Sequence, residues 1–264
     1  MNYEELFQKY QEVSMENVKL KDEIEKLKAQ LSKAYGSTED ITFFGESKAV
    51  KNEAGNKHVL DIDNMSAPKE KNKLFMSLFK GREDVYAKRW ENRKKWTAGY
   101  SPVCLNEWKP GLCNKQKANC YSCQNKDYAA LDENTVDDHL RGHNNFVAGV
   151  YPLCLDETCY FLAIDFDGED WQKDIHVLRD VCSEFSIPLA VERSRSGRGA
   201  HAWFFFNEPI SAALARKFGS SLLTNAMTKR HEIKFKSYDR FFPNQDNMPK
   251  DGLGNLIALP LQKG

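Results

Sequence analysis

The residues that end one apolar segment are carboxylates, and their spacing suits a divalent cation. Residues 160–164 are aromatic or aliphatic, and Asp165, Asp167, Glu169 and Asp170 follow them. Crowded carboxylates repel one another and lose solvation unless a positive charge lies nearby. In a strand, Asp165 and Asp167 point to the same face. This pair predicts a site for Mg²⁺ or Mn²⁺, which commonly bind substrate phosphates; the alternative is a solvated strand end.

A glycine-bounded loop farther along the chain could bind those phosphates. The segment SGRG, residues 196–199, exposes backbone N–H groups and contains Arg198, with Arg193, Arg195 and His201 beside it. Backbone N–H groups and guanidinium groups are common ligands of phosphate oxygens. The segment therefore predicts a triphosphate-binding loop, although an ordinary hairpin turn would explain the glycines alone.

Clustered cysteines form a second candidate metal site. Four of the seven cysteines follow the pattern C-x8-C-x6-C-x2-C: Cys104, Cys113, Cys120 and Cys123. Four thiolates at this spacing suit one tetrahedral structural zinc, and four unrelated cysteines are the alternative. His139 and His143 lie four residues apart and are either rival ligands or surface and capping residues. The other cysteines lie in apolar patterns, which predicts that they belong to the core: Cys154, Cys159 and Cys182.

The order of strands and helices predicts how these residues are brought together. Apolar periodicity predicts strands at residues 159–166, 187–193 and 200–206, a helix at residues 171–186, and a second helix from Ser211 to about Lys229. A last strand is expected within residues 232–242. This β-α-β-β-α-β order is the split βαβ unit of ferredoxin-like and RNA-recognition folds, in the α+β class.

In that topology the third strand lies between the first and the second and is antiparallel to both. Asp165 and Asp167, at the end of the first strand, should therefore lie next to His201, near the start of the third. The fourth strand lies on the other side of the first, so its beginning should supply a third carboxylate. The residues alone leave two candidates: Glu232, if the strand is HEIKF, and Asp239, if it is YDRFF.

The chain before this unit contains a heptad repeat and a polar segment. Residues 3–31 carry apolar side chains at alternating spacings of four and three, which predicts a coiled-coil helix at residues 1–34 and a homodimer. An amphipathic helix docked on the globular domain is the alternative. Residues 35–73 are polar without a sustained period and predict a flexible linker.

Residues 74–96, at the start of the globular part, are predicted to be mostly helical. They interleave several cations with Tyr86, Trp90 and Trp96. Such a pattern is typical either of a solvated helix face or of a basic and aromatic surface for nucleic acid.

The composition limits the classes of protein to consider. The chain has 264 residues with 38 Lys and Arg against 38 Asp and Glu, so nucleic-acid binding would need local basic patches. No apolar run approaches the roughly 20 residues of a membrane span, and the N-terminal sequence is not a signal peptide. We therefore expect a cytoplasmic protein, in which clustered cysteines indicate metal before disulfide.

Three motifs together resemble the archaeo-eukaryotic primase superfamily, and most of all the primase domains of TOTE conflict systems. The first motif of that superfamily, hhhDhD, matches Asp165 and Asp167. The second, S-G-x-G-x-H, matches residues 196–201, and the third, a carboxylate after an apolar residue, matches Asp239. The resemblance thus favours Asp239 over Glu232 as the third carboxylate.

The resemblance covers about residues 74–262. It implies a primase-like catalytic domain at residues 74–264, with an RRM-like core at residues 159–242 and a zinc knuckle at residues 104–123. Members of the family usually continue past the position where this chain ends, often into helicase and nuclease modules. The resemblance therefore also implies a fragment or a C-terminally truncated domain, and a helicase or nuclease as a partner.

The activity that the resemblance implies is template-directed nucleotidyl transfer. A primer would be made or extended on a single-stranded DNA or RNA template from nucleoside triphosphates, in a mobile element or a defence or conflict system. The three acidic residues would bind two Mg²⁺ or Mn²⁺ ions, and Ser196, Arg198 and His201 would bind the triphosphate. Two alternatives are a metal-dependent nuclease on the same carboxylates and a non-catalytic module that binds nucleic acid.

Overall fold

Two four-stranded antiparallel sheets organise the part of the chain that the structure describes. This computed structural model describes residues 62–115, 120–229, 237–250 and 252–262, together with Lys19. The helices are α1 (Pro68–Leu78), α2 (Glu133–Arg141), α3 (Trp171–Glu184) and α4 (Ala212–Lys229). The strands are β1 (Ala87–Asn92), β2 (Thr97–Pro102), β3 (Ala148–Val150), β4 (Thr158–Asp167), β5 (Ala190–Arg193), β6 (Gly199–Ser211), β7 (Tyr238–Phe242) and β8 (Ile257–Ala258).

Some of the predicted segments lie outside the described residues. These are the coiled coil at residues 1–34, apart from Lys19, the first part of the linker, and Glu232. The predicted linker ends earlier than residue 73, because α1 already begins at Pro68. Proline suits the first position of a helix, and the Glu70 carboxylate caps this end by accepting from the Ala67 N–H over 3.1 Å. In the described ranges, no helix has both the length and the apolar character needed to cross a membrane.

The larger strands form a split βαβ sheet with the strand order β5-β6-β4-β7. Each neighbouring pair is antiparallel, and α3 and α4 connect the strands as the sequence predicts. Apolar residues of both helices, among them Leu178 and Leu222, pack against one face of the sheet. The hydroxyl of Ser211, the predicted helix cap, accepts from the Leu214 N–H over 3.3 Å at the start of α4.

The apolar run in β4 reflects a strand that is covered on both faces. Leu162, Ile164 and Phe166 pack against α3 and α4 in one core cluster. Phe161 and Ala163 point the other way, into a second cluster with α1, α2 and the other sheet. Because neither face meets solvent, the strand shows no polar alternation until its end.

The other sheet has the order β2-β1-β3-β8, and it corrects the prediction of a mostly helical segment at residues 74–96. Only the beginning of that segment is helical, since α1 ends at Leu78, and residues 87–92 form β1. Lys, Arg and Glu favour a helix locally, but pairing with a distant strand decides the outcome. Trp90 lies opposite Gly99 on β2, and the glycine leaves room for the indole ring.

His139 belongs to the core rather than to a metal site. Its side chain is fully buried on α2. Its Nδ1 atom accepts from the Ala148 N–H over 3.2 Å, and its Nε2 atom lies 2.9 Å from the Pro260 carbonyl oxygen. These partners require the neutral ring with the proton on Nε2, so neither nitrogen is available to a metal. His143, its predicted companion, is exposed and lies 2.8 Å from Asp138 Oδ1.

Candidate metal and nucleotide site

Three aspartates converge at one end of the split βαβ sheet. Asp165 and Asp167 lie at the end of β4, and Asp239 is the second residue of the neighbouring strand β7. One carboxylate oxygen from each lies within 4.8 Å of the other two. Carboxylate oxygens are the ligands that Mg²⁺ and Mn²⁺ prefer. This end of the sheet therefore suits a divalent cation.

A β-bulge places Asp239 beside the aspartates of β4. Asp165 lies opposite Arg240, whereas Phe166 lies opposite Tyr238, so the register shifts by one residue. Asp239 is the extra residue on β7. A bulge re-aims the side chain at the bulged position, and here that side chain is the third carboxylate.

Asp165 is the most buried of the three carboxylates. Its side chain is 15% exposed, whereas Asp167 and Asp239 are exposed residues. Burial raises the pKa of Asp165 to about 6, with attraction to His201 opposing the shift and repulsion from Asp167 and Asp239 adding to it. A cation bound among the carboxylates would favour their charged form. The Arg240 guanidinium brings positive charge to the same edge, because it donates to Asp239 Oδ2 over 2.6 Å.

Gly199 allows the loop between β5 and β6 to come close to the carboxylates. It lies opposite Asp167, and a Cβ atom on it would be 2.3 Å from the Phe166 carbonyl oxygen and 2.5 Å from Asp167 Oδ1. Both distances are far below van der Waals contact, so only glycine fits. The Gly168 N–H donates to the Arg198 carbonyl oxygen over 3.2 Å, which links the loop to the end of β4.

The loop itself is a tight turn. The Gly197 N–H donates to the Ser194 carbonyl oxygen over 2.8 Å, and Gly197 has a φ of 72°. The Arg193 guanidinium donates to the Gly197 carbonyl oxygen over 3.0 Å, while the Ser196 hydroxyl accepts from the Arg198 N–H over 3.2 Å. These contacts fit a hairpin turn and a phosphate-binding loop equally well. Two of the three predicted phosphate ligands, Ser196 and Arg198, lie in this loop rather than among the carboxylates.

His201 lies between two carboxylates, one of which the sequence analysis missed. Its Nε2 atom is 3.5 Å from Asp165 Oδ1, and its Nδ1 atom is 3.0 Å from Glu192 Oε2. Burial opposes charge on the imidazole, but the hydrogen bond to Glu192 and the nearby carboxylates outweigh it and raise the pKa of His201. The Trp203 indole N–H also donates to Glu192, over 3.3 Å. Extending the predicted strand pairing to β5 would have found Glu192, which lies directly opposite His201.

A buried aspartate on α3 anchors the beginning of β7. Asp174 is 4% exposed, and its Oδ2 atom accepts from both the N–H and the hydroxyl of Ser237. The Ser237 carbonyl oxygen accepts from the Asp167 N–H over 2.6 Å. Ser237 therefore joins α3, the end of β4 and the strand that carries Asp239. The sequence does contain a signal for this contact, because Asp174 is an acidic residue next to Ile175 on the apolar face of the predicted helix.

The four clustered cysteines line one small cavity. All four line a space of about 30 Å³ together with Tyr128 and Glu107. The Cys104 sulfur accepts from the Asp127 N–H over 3.4 Å, and the Tyr128 hydroxyl donates to the Cys120 carbonyl oxygen over 3.1 Å. Among the described residues, only the three aspartates bring three or more ligand atoms of His, Cys, Asp or Glu side chains within 4.8 Å of one another. No three of the cysteine sulfurs therefore lie that close together. The sulfurs thus share one cavity, at wider spacing than a closed zinc site has.

The fold and the acidic site together define an α+β domain with a candidate cation site next to a glycine-bounded loop. The chain belongs to a family described as "TOTE conflict system, Archaeo-Eukaryotic Primase domain", whose model matches residues 70–264. This agrees with the resemblance that the three motifs indicate. No curated protein matches the chain. Membership in the family indicates a primase-like or nucleotidyltransferase-type enzyme of a conflict system.

Proposed function

We propose that the chain is a template-directed nucleotidyltransferase of the DNA primase or primase-polymerase type. It would add nucleotides from nucleoside triphosphates to a strand paired with a single-stranded template. The observation that carries this proposal is the convergence of Asp165, Asp167 and Asp239 within 4.8 Å, beside a loop that only glycine allows to come so close. The family supports the reaction class.

The aspartates fit two Mg²⁺ or Mn²⁺ ions. When bound, such ions lower the pKa of an attacking hydroxyl and neutralise a leaving pyrophosphate. The chain's own contribution is to hold three carboxylates together despite the burial that raises the pKa of Asp165. The bulge at Asp239 and the anchor through Ser237 fix the third carboxylate.

The triphosphate would be bound by Ser196, Arg198 and His201. The hydrogen bond that His201 Nδ1 donates to Glu192 keeps the ring oriented and favours its charged form. A charged imidazole next to the carboxylates can donate to a phosphate oxygen. The guanidinium of Arg198 at the turn would add further donors.

Cys104, Cys113, Cys120 and Cys123 would bind one structural zinc ion. Their shared cavity supports this assignment, as does the N–H···S contact of Cys104, because such contacts stabilise a thiolate. Residues 3–31 would form a homodimer through their heptad repeat, and a helicase or nuclease module would act with the domain.

The test is incorporation of labelled nucleotide on a single-stranded template with Mg²⁺ or Mn²⁺. We expect the wild type to incorporate label and Asp165→Ala/Asp167→Ala to lose it. Glu169→Ala is the matched control, because it removes an exposed carboxylate just beyond the same strand and should leave incorporation unchanged. Strand cutting by the wild type would instead identify a nuclease, and strand binding without turnover would identify a non-catalytic module.

A further inference from the structure

A groove on the second sheet combines cations with exposed aromatic rings. The β1–β2 hairpin forms one wall, and the segment that carries the cysteines forms the other. The groove has a volume of about 670 Å³. The lining residues that matter here are Tyr86, Lys88, Arg89, Trp90, Trp108 and Lys115. We call this the hairpin groove.

The positive charge of the hairpin is unusual for this chain. Residues 86–96 carry five cations and one carboxylate, Glu91, whereas the whole chain is neutral. Two of the groove's cations are partly balanced, since Arg89 pairs with Glu91 and Lys115 with Glu107. The Lys88 ammonium group lies 5.1 Å from the centre of the Phe146 ring. Its charge therefore lies beside an aromatic ring of the groove.

Two tryptophans of the groove are exposed, and one of them, Trp90, is held against the sheet. Trp90 is 45% exposed and Trp108 is 63% exposed. The Trp90 ring lies against Gly99 of β2, where a Cβ atom would be only 2.8 Å from the indole, so the ring is held close against the sheet. Lys115 lies 5.7 Å from the centre of the Trp108 ring. Single exposed apolar residues are common, but exposed indoles beside cations are the surface on which unpaired bases stack.

The hairpin groove adjoins the candidate nucleotide site. Glu91 on β1 is 3.9 Å from the guanidinium of Arg195, which lies in the glycine-bounded loop between β5 and β6. This contact places β1 of the hairpin beside that loop.

We propose that the hairpin groove binds single-stranded nucleic acid, with bases stacked on Trp90 and Trp108 and phosphates paired with Lys88, Arg89 and Lys115. Unpaired bases have the open π-faces that supported indoles can stack on, and the backbone supplies the charge that the cations need. An acidic peptide would use the cations but not the flat rings. That this strand is the template of the reaction rests on the proposed function; the binding itself does not.

The test measures binding of a fluorescent oligothymidylate of about 15 nucleotides to the full chain, without nucleoside triphosphates. Trp90→Ala should weaken binding roughly 5- to 150-fold, the range expected for loss of one stacked base. Trp90→Tyr keeps an aromatic face and should restore most of the affinity. This rescue separates stacking from a simple loss of folding, which circular dichroism also checks.

Two matched controls locate the binding surface. Trp96 is 94% exposed but does not line the groove, so Trp96→Ala should cost much less than Trp90→Ala. Lys88→Gln should lower the slope of log affinity against log salt by about 0.7, the value for one phosphate contact of a single strand. Lys217→Gln, an exposed cation on α4, should leave that slope unchanged.

The outcomes separate this inference from the proposed function. If nucleotide incorporation fails but Trp90→Ala weakens binding, the groove stands and the nucleotidyltransferase does not. Equal affinity of Trp90→Ala and the wild type would overturn the groove, as would an equal loss in Trp96→Ala. Competition by polyglutamate as strong as by unlabelled oligothymidylate would point to an acidic protein partner instead.

Discussion

The two candidate metal sites of this domain are built in different ways. The aspartate site is positioned by long strands whose register is fixed by burial on both faces. The cysteine site is positioned by turns, by one short 3₁₀ helix at Cys120–Ser122 and by side-chain hydrogen bonds. In the first region the protein already assembles the ligands, whereas in the second the metal itself would complete the assembly.

This difference leads us to expect the largest effect from loss of zinc. The wild type should contain about one zinc per chain, and Cys120→Ser should lose it. Because zinc binding contributes on the order of 10 kcal/mol to folding of small metal sites, residues near the cysteines should lose protection from hydrogen exchange. Protection in β4 and β6 should persist.

Cys154→Ser is the control for this prediction, since Cys154 lies outside the cluster and should not affect zinc content. A folded wild type without zinc would refute the metal site. Loss of protection in β4 on zinc removal would refute the separation of the two regions.

The stability of the strand-built region should depend on the packing of its apolar core instead of on zinc. Leu162 is fully buried between β4 and the helices, so Leu162→Ala should cost about 2–5 kcal/mol of unfolding free energy. Leu155→Ala, at an exposed leucine, should change it by less than about 0.5 kcal/mol. Urea denaturation followed by circular dichroism measures both. Zinc content should be unchanged in Leu162→Ala, and a parallel loss of zinc would show that the two regions are coupled.

Adding one Cβ atom at a glycine should have a different effect in each of the two regions. At Gly199 an added Cβ meets the Phe166 carbonyl oxygen and Asp167, so Gly199→Ala should cost about 1–3 kcal/mol and displace one carboxylate of the candidate cation site. At Gly111, in the cysteine segment, space is open but φ is 80°, so Gly111→Ala should cost about 1 kcal/mol from backbone strain alone. Denaturation compares the two variants, and nucleotide incorporation should fall only in Gly199→Ala. Equal incorporation by both would contradict the role of Gly199.

The same contrast explains how much could be predicted from the sequence. The split βαβ sheet could be predicted because its strands and helices carry unbroken apolar periods, and its topology places His201 beside Asp165. Register shifts and contacts across elements could not, because they depend on residues far apart in the chain. The bulge that places Asp239 beside Asp165 is an example, as is the contact of Asp174 with Ser237.

The β1–β2 hairpin was predicted wrongly for a related reason. Its cations and tryptophans recur at spacings that also suit a helix, and nothing local reveals that Trp90 will lie against Gly99. The segment's composition nevertheless indicated a basic and aromatic surface, and the structure places Tyr86, Lys88, Arg89 and Trp90 along one groove, although Trp96 lies outside it. The composition of the segment was therefore informative about these four side chains, whereas the predicted helix was wrong.

The smallest effect that we predict concerns pH, and it depends on a contact between α2 and the C-terminal segment. Burial lowers the pKa of His139, while its two hydrogen bonds hold the neutral ring against Ala148 and Pro260. The unfolded chain therefore binds more protons than the folded chain as pH falls through about 6.5, the ordinary histidine value. The stability that His139 contributes is present above that pH and is lost below it, by up to about 1.4 kcal/mol per pH unit.

His139→Gln isolates this contribution, because glutamine can keep one donor and one acceptor but does not titrate. Unfolding free energies from urea denaturation, measured between about pH 8 and about pH 5, should fall less steeply for His139→Gln than for the wild type. Other groups, including Asp165 with its raised pKa, titrate in both proteins and cancel in the difference. His143→Asn replaces an exposed histidine. Its unfolding free energy should depend on pH more nearly as that of the wild type does than the unfolding free energy of His139→Gln. Identical slopes for His139→Gln and the wild type would mean that the ring can protonate without leaving its two partners, and the neutral core histidine would then be refuted.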